Sequence, residues 1–350
     1  MGIIKSQLDK KQPSLFFDQW AEDSVISDEQ GVPKTLYHGT IVPEYKSFDL
    51  EKSDPYNFLG SGFYFTDSPE DASANYSSAS GDWDAKIDRL ADQIYNQAED
   101  DEEYAKSMGI DLSNWQNAYD RSKEIALQQL TGKTDVNHLP ARSMPVYLKM
   151  KNPAILSPHA PDKYFIEYDE ETGEEKGNVL ELMDIITNIA YEYGLEGEDV
   201  WAEISEYLNL LDGFNDYDLY QAISNSGVFE NTYDDSDNLL STGGVFREIM
   251  RDMGHDGVIM DTWKYFGPNQ YGKGMPGIDP DTKHYIVWNP TQIKSSIGNS
   301  GIYDPKNPDI TANSLKLIKI SQQLDDLGFY RDADLVIKKC PLYRGHFKQD

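Results

Sequence analysis

The chain has 350 residues with 31 Lys+Arg against 61 Asp+Glu, a formal net charge of −30. Phosphate backbones and anionic membrane surfaces are held by clustered Lys and Arg, so this balance argues against a general nucleic-acid binder or a membrane-surface protein. With 39% hydrophobic and 12% aromatic residues the chain can build a core, which excludes wholesale disorder. A lone cysteine excludes an internal disulfide framework and any multi-cysteine zinc site.

Met1-Gly2-Ile3-Ile4-Lys5-Ser6 fits a short acylation pattern, but six residues match such a pattern easily by chance. No stretch reaches the length of a spanning helix and the N-terminus lacks a signal-peptide core, so a cytoplasmic chain is expected. No period of 20–50 residues repeats.

Strand-like runs rich in β-branched and aromatic residues lie at 35–38, 62–66, 145–150, 257–261 and 284–288. Helical spacing lies between them. Ile87, Leu90, Ala91, Ile94 and Ala98 share one face. Val179, Met183, Ile186 and Ala190 form a second stripe stopped by Gly194, and Trp201, Ile204, Leu208 and Leu211 a third stopped by Gly213. The two helical regions, near 82–135 and 178–250, read as insertions into a strand-rich core, with acidic runs on their solvated faces. The stretch 298–311 reads as a loop. Beyond it, Leu315, Ile318, Leu324 and Leu327 mark a helix stopped by Gly328, and a short helix follows near 330–339. The domain reading is therefore one unit over 1–310 and a helical tail over 311–350.

Three segments carry chemistry. The first is Leu36-Tyr37-His38-Gly39-Thr40. The second runs from Gly60-Ser61-Gly62 through Phe63-Tyr64-Phe65-Thr66 to Ser68-Pro69-Glu70-Asp71, an N-cap, a first-turn proline and two dipole-favoured acids. The helix so begun carries Ser73 and Tyr76. The third is Lys283-His284-Tyr285-Ile286-Val287-Trp288. Taken singly, each reads equally well as ordinary strand, turn and helix.

In this order the three resemble the ADP-ribosyltransferase superfamily of the diphtheria-toxin and poly(ADP-ribose)-polymerase type. Tyr37-His38-Gly39-Thr40 looks like the toxin form of the first strand, and Ser73-Ala74-Asn75-Tyr76 like the polymerase form of the helix end. The chain resembles in particular the ADP-ribosyltransferase domain of phage and mobile-element polyvalent proteins. The Trp20 lead-in, the strand after Asp256 and the closing Pro305-Lys306-Asn307-Pro308-Asp309 support this. The resemblance covers roughly 14–310. It implies an α+β fold, a split antiparallel β-sandwich, here with the two helical insertions and a C-terminal helical hairpin.

The resemblance also implies NAD as substrate, no metal, and cleavage of the nicotinamide–ribose bond. Tyr64 and Tyr76 would face the cationic nicotinamide ring, a task for which aromatic faces suit. The backbone of Gly39 and the hydroxyl of Ser73 would orient its amide, His38 would bond a ribose hydroxyl, and Thr40 would reach the adenosine side. It implies a mono-ADP-ribosyltransferase, phage- or mobile-element-encoded, acting in the host cytoplasm or carried in a virion. The charge points to a basic host protein as acceptor. No membrane and no direct nucleic-acid partner are expected, and the tail is expected to dock a phage or host protein.

One position departs from the family. Positive charge grows on the ribose at the transition state, as in glycosidases, and a carboxylate stabilises it. In the family that carboxylate precedes Tyr-Ile-Val; here it is His284. Three readings follow. His284 replaces the acid in a slower transferase, or another carboxylate such as Asp261, Asp281 or Glu70 takes the role, or the domain binds NAD or ADP-ribose without transfer. Asp67, Glu70 and Asp71 read as helix-start acids. His138, His159, His255 and His346 are isolated, without metal-ligand spacing. Gly272-Lys273-Gly274-Met275-Pro276-Gly277 reads as a loop before the His284 strand, without a phosphate-loop frame.

Overall fold

The computed structural model describes residues 20–28, 31–40, 47–50, 53–54, 57–76, 81–131, 142–168, 175–230, 232, 241–269, 272–296 and 306–310. The acylation pattern, His138, His346 and the helical tail lie outside them.

Two strands open the described fold, β1 (Leu36–Thr40) and β2 (Phe63–Thr66), followed by helix α1 (Pro69–Tyr76). A helical region follows: α2 (Gly81–Asp100), α3 (Glu102–Met108) and α4 (Trp115–Thr131). Next come β3 (Arg142–Leu148), β4 (Ala154–Leu156) and the two-residue strands β5 (Glu167–Tyr168) and β6 (Glu175–Lys176). The second helical region is α5 (Asn178–Glu192), α6 (Gly197–Ser205), α7 (Asp216–Ser226) and α8 (Thr242–Asp252). The described chain closes with β7 (Gly257–Asp261), the short helix α9 (Trp263–Phe266), β8 (Lys283–Val287) and β9 (Ile293–Ser295).

The main sheet has seven strands in the order β4-β7-β8-β2-β1-β3-β9. The architecture is mixed α+β, but the sheet is not wholly antiparallel: β4 runs parallel to β7. The reason is connectivity. Parallel neighbours need a long crossover, and α5–α8 supply it.

Side-chain alternation gives the sheet two packed faces. Leu36, Phe63, Phe65, Val146, Leu148, Tyr285, Val287 and Ile293 form one core. Ala154, Leu156, Val258, Met260 and Ile286 face the other way, onto Val179, Leu182, Ile186, Val245, Phe246 and Ile249 of α5 and α8. Each of the Val, Leu, Ile, Phe and Met side chains among these contributes roughly 1.5–3 kcal/mol when fully buried. The two helical regions thus differ. The 178–250 region is the layer that covers one sheet face. The α2–α4 region has a core of its own, built from Ile87, Ala91, Ile94, Ala98, Ala118, Ile125 and Ala126. The third helical stripe is shorter than its spacing suggests: α6 ends at Ser205, and Leu211 stands 76% exposed in the turn before Gly213.

The sheet narrows at its centre, where the ladder between β1 and β2 consists of one register pair, Tyr37 with Thr66. The Asp67 N–H donates to the Lys283 carbonyl at 3.2 Å, which directs the peptide groups of Phe65 to β8 and those of Thr66 and Tyr64 to β1. On the other side, the Lys149 N–H donates to Gln292 and the Ser296 N–H to Pro145, turning those β3 residues to β9. Met144 and Val146 therefore pair with His38 and Leu36. Tyr37 and Gly39 are left to present their N–H and C=O groups to β2. At Gly39 the ladder is not continued. The Tyr64 carbonyl instead accepts from His38 Nδ1 at 2.9 Å.

Candidate active site

Helix α1 lies across the open seam. A Cβ at Gly39 would stand 2.3 Å from the Ala72 carbonyl oxygen and 2.5 Å from Tyr76 Cβ. The glycine is therefore required first by the approach of α1. That approach sets Tyr76 beside the Gly39 peptide groups. Ser68 caps the helix, its hydroxyl accepting from the Asp71 N–H at 3.2 Å.

Tyr76 meets His284 edge to face, with ring centroids 5.7 Å apart at 71°. Phe266 of α9 lies on His284 at 5.7 Å and 35°. His284 is 3% exposed. Its Nε2 stands 2.7 Å from Asp71 Oδ2, and the Asp71 side chain is fully enclosed. The Asn75 amide donates to Asp71 Oδ1 at 2.7 Å and to the Pro276 carbonyl at 2.8 Å. The loop carrying Pro276 presses close: a Cβ at Gly277 would lie 2.3 Å from the Asp71 nitrogen. Asp71 is thus fixed from both oxygens and from its backbone.

His38 packs among aromatics, edge to face with Phe48 at 5.0 Å and tilted to Phe65 at 5.4 Å. A carbonyl only accepts, so the bond to Tyr64 puts the hydrogen on Nδ1. Tyr64 is half-buried. Its hydroxyl donates to the Gly60 carbonyl at 2.7 Å and accepts from the Leu59 N–H at 3.1 Å. Burial pushes this phenol well above the ordinary tyrosine range, so it stays protonated. Thr40 is buried at the end of β1, and Ser73 is exposed on α1, one turn before Tyr76.

Five of the predicted residues fall into linked contacts. Gly39 touches Tyr76, Tyr76 touches His284, and His38 reaches the Tyr64 backbone. Of the other carboxylates weighed from sequence, Glu70 and Asp281 are exposed. Asp261 is bonded to the Ser157 hydroxyl and lies 3.4 Å from Lys283 Nζ. Asp67 pairs with Lys34 at 2.6 Å. The acid that meets His284 is Asp71, which the sequence reads as a helix-start acid, and Asn75 and Phe266, to which the sequence assigns no role, complete its surroundings. No group of three or more His, Cys, Asp and Glu suited to a metal occurs among the described residues. No described helix is long and apolar enough to cross a membrane.

No curated protein and no solved structure matches the chain. The His284 strand lies outside the segment that a family model matches. That segment, residues 28–139, matches the model described as ADP-ribosyltransferase in polyvalent proteins, the family that the sequence motifs resemble, and it carries His38, Gly39, Thr40, Tyr64, Ser73 and Tyr76.

Proposed function

We propose that the chain is an NAD-dependent mono-ADP-ribosyltransferase whose site lies where α1 crosses the β1–β2 seam. The observation that carries the reading is the contact of Tyr76 with both Gly39 and His284, which joins all three sequence motifs at one place. The peptide groups of Gly39 face the seam and suit the nicotinamide amide. Tyr76 and the Tyr64 ring are the aromatic faces for its cationic ring, and His38 is the partner for a ribose hydroxyl. Breaking the nicotinamide–ribose bond sends the electron pair to the leaving nicotinamide and builds positive charge on the ribose. His284 occupies the position facing that charge, backed by the Asp71 carboxylate.

Chain extension in the resembling family goes with the glutamate that this chain lacks, so a single ADP-ribose per acceptor is the proposed product. The net charge of −30 favours encounter with a basic host protein, and the polyvalent-protein resemblance favours a phage or mobile-element source. Purified protein, labelled NAD and host lysate test the reading. Nicotinamide release with label on a protein band is the expected result. Retained NAD binding with neither release nor label would overturn it in favour of a binding module.

A further inference from the structure

We infer that His284 and Asp71 form a base dyad, in which His284 Nδ1 takes the proton of a hydroxyl acceptor, water included, and Asp71 positions and balances the ring. This rests on the transfer reading above and goes beyond it by naming the acceptor class.

A carboxylate can only accept a hydrogen bond, so the 2.7 Å contact with Asp71 Oδ2 places the ring hydrogen on His284 Nε2. The lone pair is then on Nδ1, which makes no hydrogen bond to a described residue. Asp71 acts through the ring. Its Oδ2 is committed to His284 and its Oδ1 to Asn75. Asn75 is in turn held by the Pro276 carbonyl, and Gly277 closes on the Asp71 backbone. A base oriented by a buried carboxylate that is itself fixed has the logic of a nucleophile-activating pair. Tyr76 and Phe266 fix the plane of the imidazole from two sides.

The step balances. The bond from the ribose carbon to nicotinamide breaks, and its electrons leave with nicotinamide. An oxygen lone pair of the acceptor closes on that carbon. The acceptor proton passes to His284 Nδ1, and the Asp71 carboxylate offsets the imidazolium so formed. An acceptor that is already a carboxylate has no proton to give and gains nothing from the dyad. An alcohol or water does.

Among the described residues, the charged groups around the ring leave Asp71 as its direct partner. On the neighbouring strand ends, Asp261 lies against Lys283, and Asp67 is held by Lys34 and by the Lys283 N–H at 2.9 Å. Across the sheet, Thr66 and Met260 stand in register with His284 and carry no charge. From α1, Glu70 is exposed and Tyr76 presents its ring. The loop side contributes the Pro276–Gly277 backbone.

The test uses the full chain with NAD and water as acceptor, following nicotinamide release between about pH 5 and 8. Wild-type kcat is expected to fall on the acid side, as Nδ1 is protonated before reaction. Asp71→Asn is expected to leave KM little changed, to lower kcat by roughly 10²–10⁴-fold as for a lost general base, and to move the acid limb. Imidazole ¹⁵N signals of wild-type His284 should show the hydrogen on Nε2, a readout that needs no turnover and no variant. An Nδ1–H tautomer, or an Asp71→Asn protein with unchanged kcat and pH profile, would overturn the dyad while leaving transfer intact. A wild-type protein that binds NAD but releases no nicotinamide with either water or host lysate as acceptor would overturn the transfer reading, and the dyad with it.

Discussion

His284 and Asp71 are 213 residues apart in the chain, and their side chains meet at 2.7 Å, the carboxylate fully enclosed and the imidazole 4% exposed. The two members of this pair are not equivalent. Removing the imidazole leaves a fully enclosed carboxylate oxygen without its hydrogen-bond donor, the costly case for a buried charged acceptor. Removing the carboxylate leaves a ring that can remain neutral. His284→Ala should therefore destabilise the protein by about 3 kcal/mol or more, the upper end for a buried acceptor left unsatisfied. Asp71→Asn should cost less, about 1–3 kcal/mol for a lost buried hydrogen bond. Denaturant unfolding of both variants checks the order, and the reverse order would show that the imidazole carries the charge in the folded state.

Gly39 is held to glycine by packing. Its missing Cβ would fall 2.3 Å from the Ala72 carbonyl, a backbone atom of α1 that cannot swing aside. Gly39→Ala should lower stability by about 1–3 kcal/mol, as overpacking does. It should also weaken NAD binding, because α1 carries Tyr76 away from the seam. Thermal unfolding and NAD titration together check this. A variant of wild-type stability that still binds NAD less tightly would assign the glycine to the ligand alone.

Tyr76 joins the site through its ring, edge to face with His284. Tyr76→Ala should remove about 1 kcal/mol of aromatic contact, which is about a fivefold rise in the NAD dissociation constant. Tyr76→Phe keeps the ring and should bind nearly as wild type. Equal affinity for all three proteins would remove Tyr76 from the pocket.

Much of this was legible in the sequence because it is local. The β1, β2, β3, β7 and β8 runs announce themselves by aromatic and β-branched residues between turn residues. The α2 stripe of Ile87, Ala91, Ile94 and Ala98 is buried as its spacing implies. The three-residue strands β4 and β9 are too short to carry a periodic signal, and Leu211 continued a pattern that α6 does not. Asp71 was hidden for a different reason. An acid in the first turn of a helix looks the same whether it serves the helix dipole or a side chain two hundred residues away. Only the tertiary contact with His284 separates the two roles.

His255 gives a pH-dependent stability away from the site. Its Nδ1 bonds the Asn152 carbonyl at 2.9 Å, and its Nε2 faces Lys163 Nζ at 3.0 Å. Burial first, and then the Lys163 ammonium, hold its pKa below the ordinary value. The unfolded chain regains that value, about 6.5. The unfolded state therefore binds the proton more readily, and the stability that neutral His255 contributes is full above that pH and lost as pH falls through it. His255→Gln should flatten the decline of Tm on acidification through this range. Parallel Tm curves for variant and wild type would show that His255 takes no part in it.

The family pattern suggests that glutamate at 284 should raise NAD hydrolysis, and Asp71 reverses that expectation. His284→Glu would set a second carboxylate beside one that is fully enclosed and already bonded by Asn75. Two buried carboxylates at such range do not both ionise easily, and one is driven towards its neutral form. The single substitution should therefore lower stability and give little or no gain in nicotinamide release. Asp71→Asn added to it turns the repelling neighbour into an amide that can donate, so the double variant should recover stability and hydrolyse NAD faster than His284→Glu alone. Rates for wild type, both single variants and the double variant, measured beside their Tm values, decide the matter. If His284→Glu alone outpaces the double variant, Asp71 does not face the position that the family reserves for its acid.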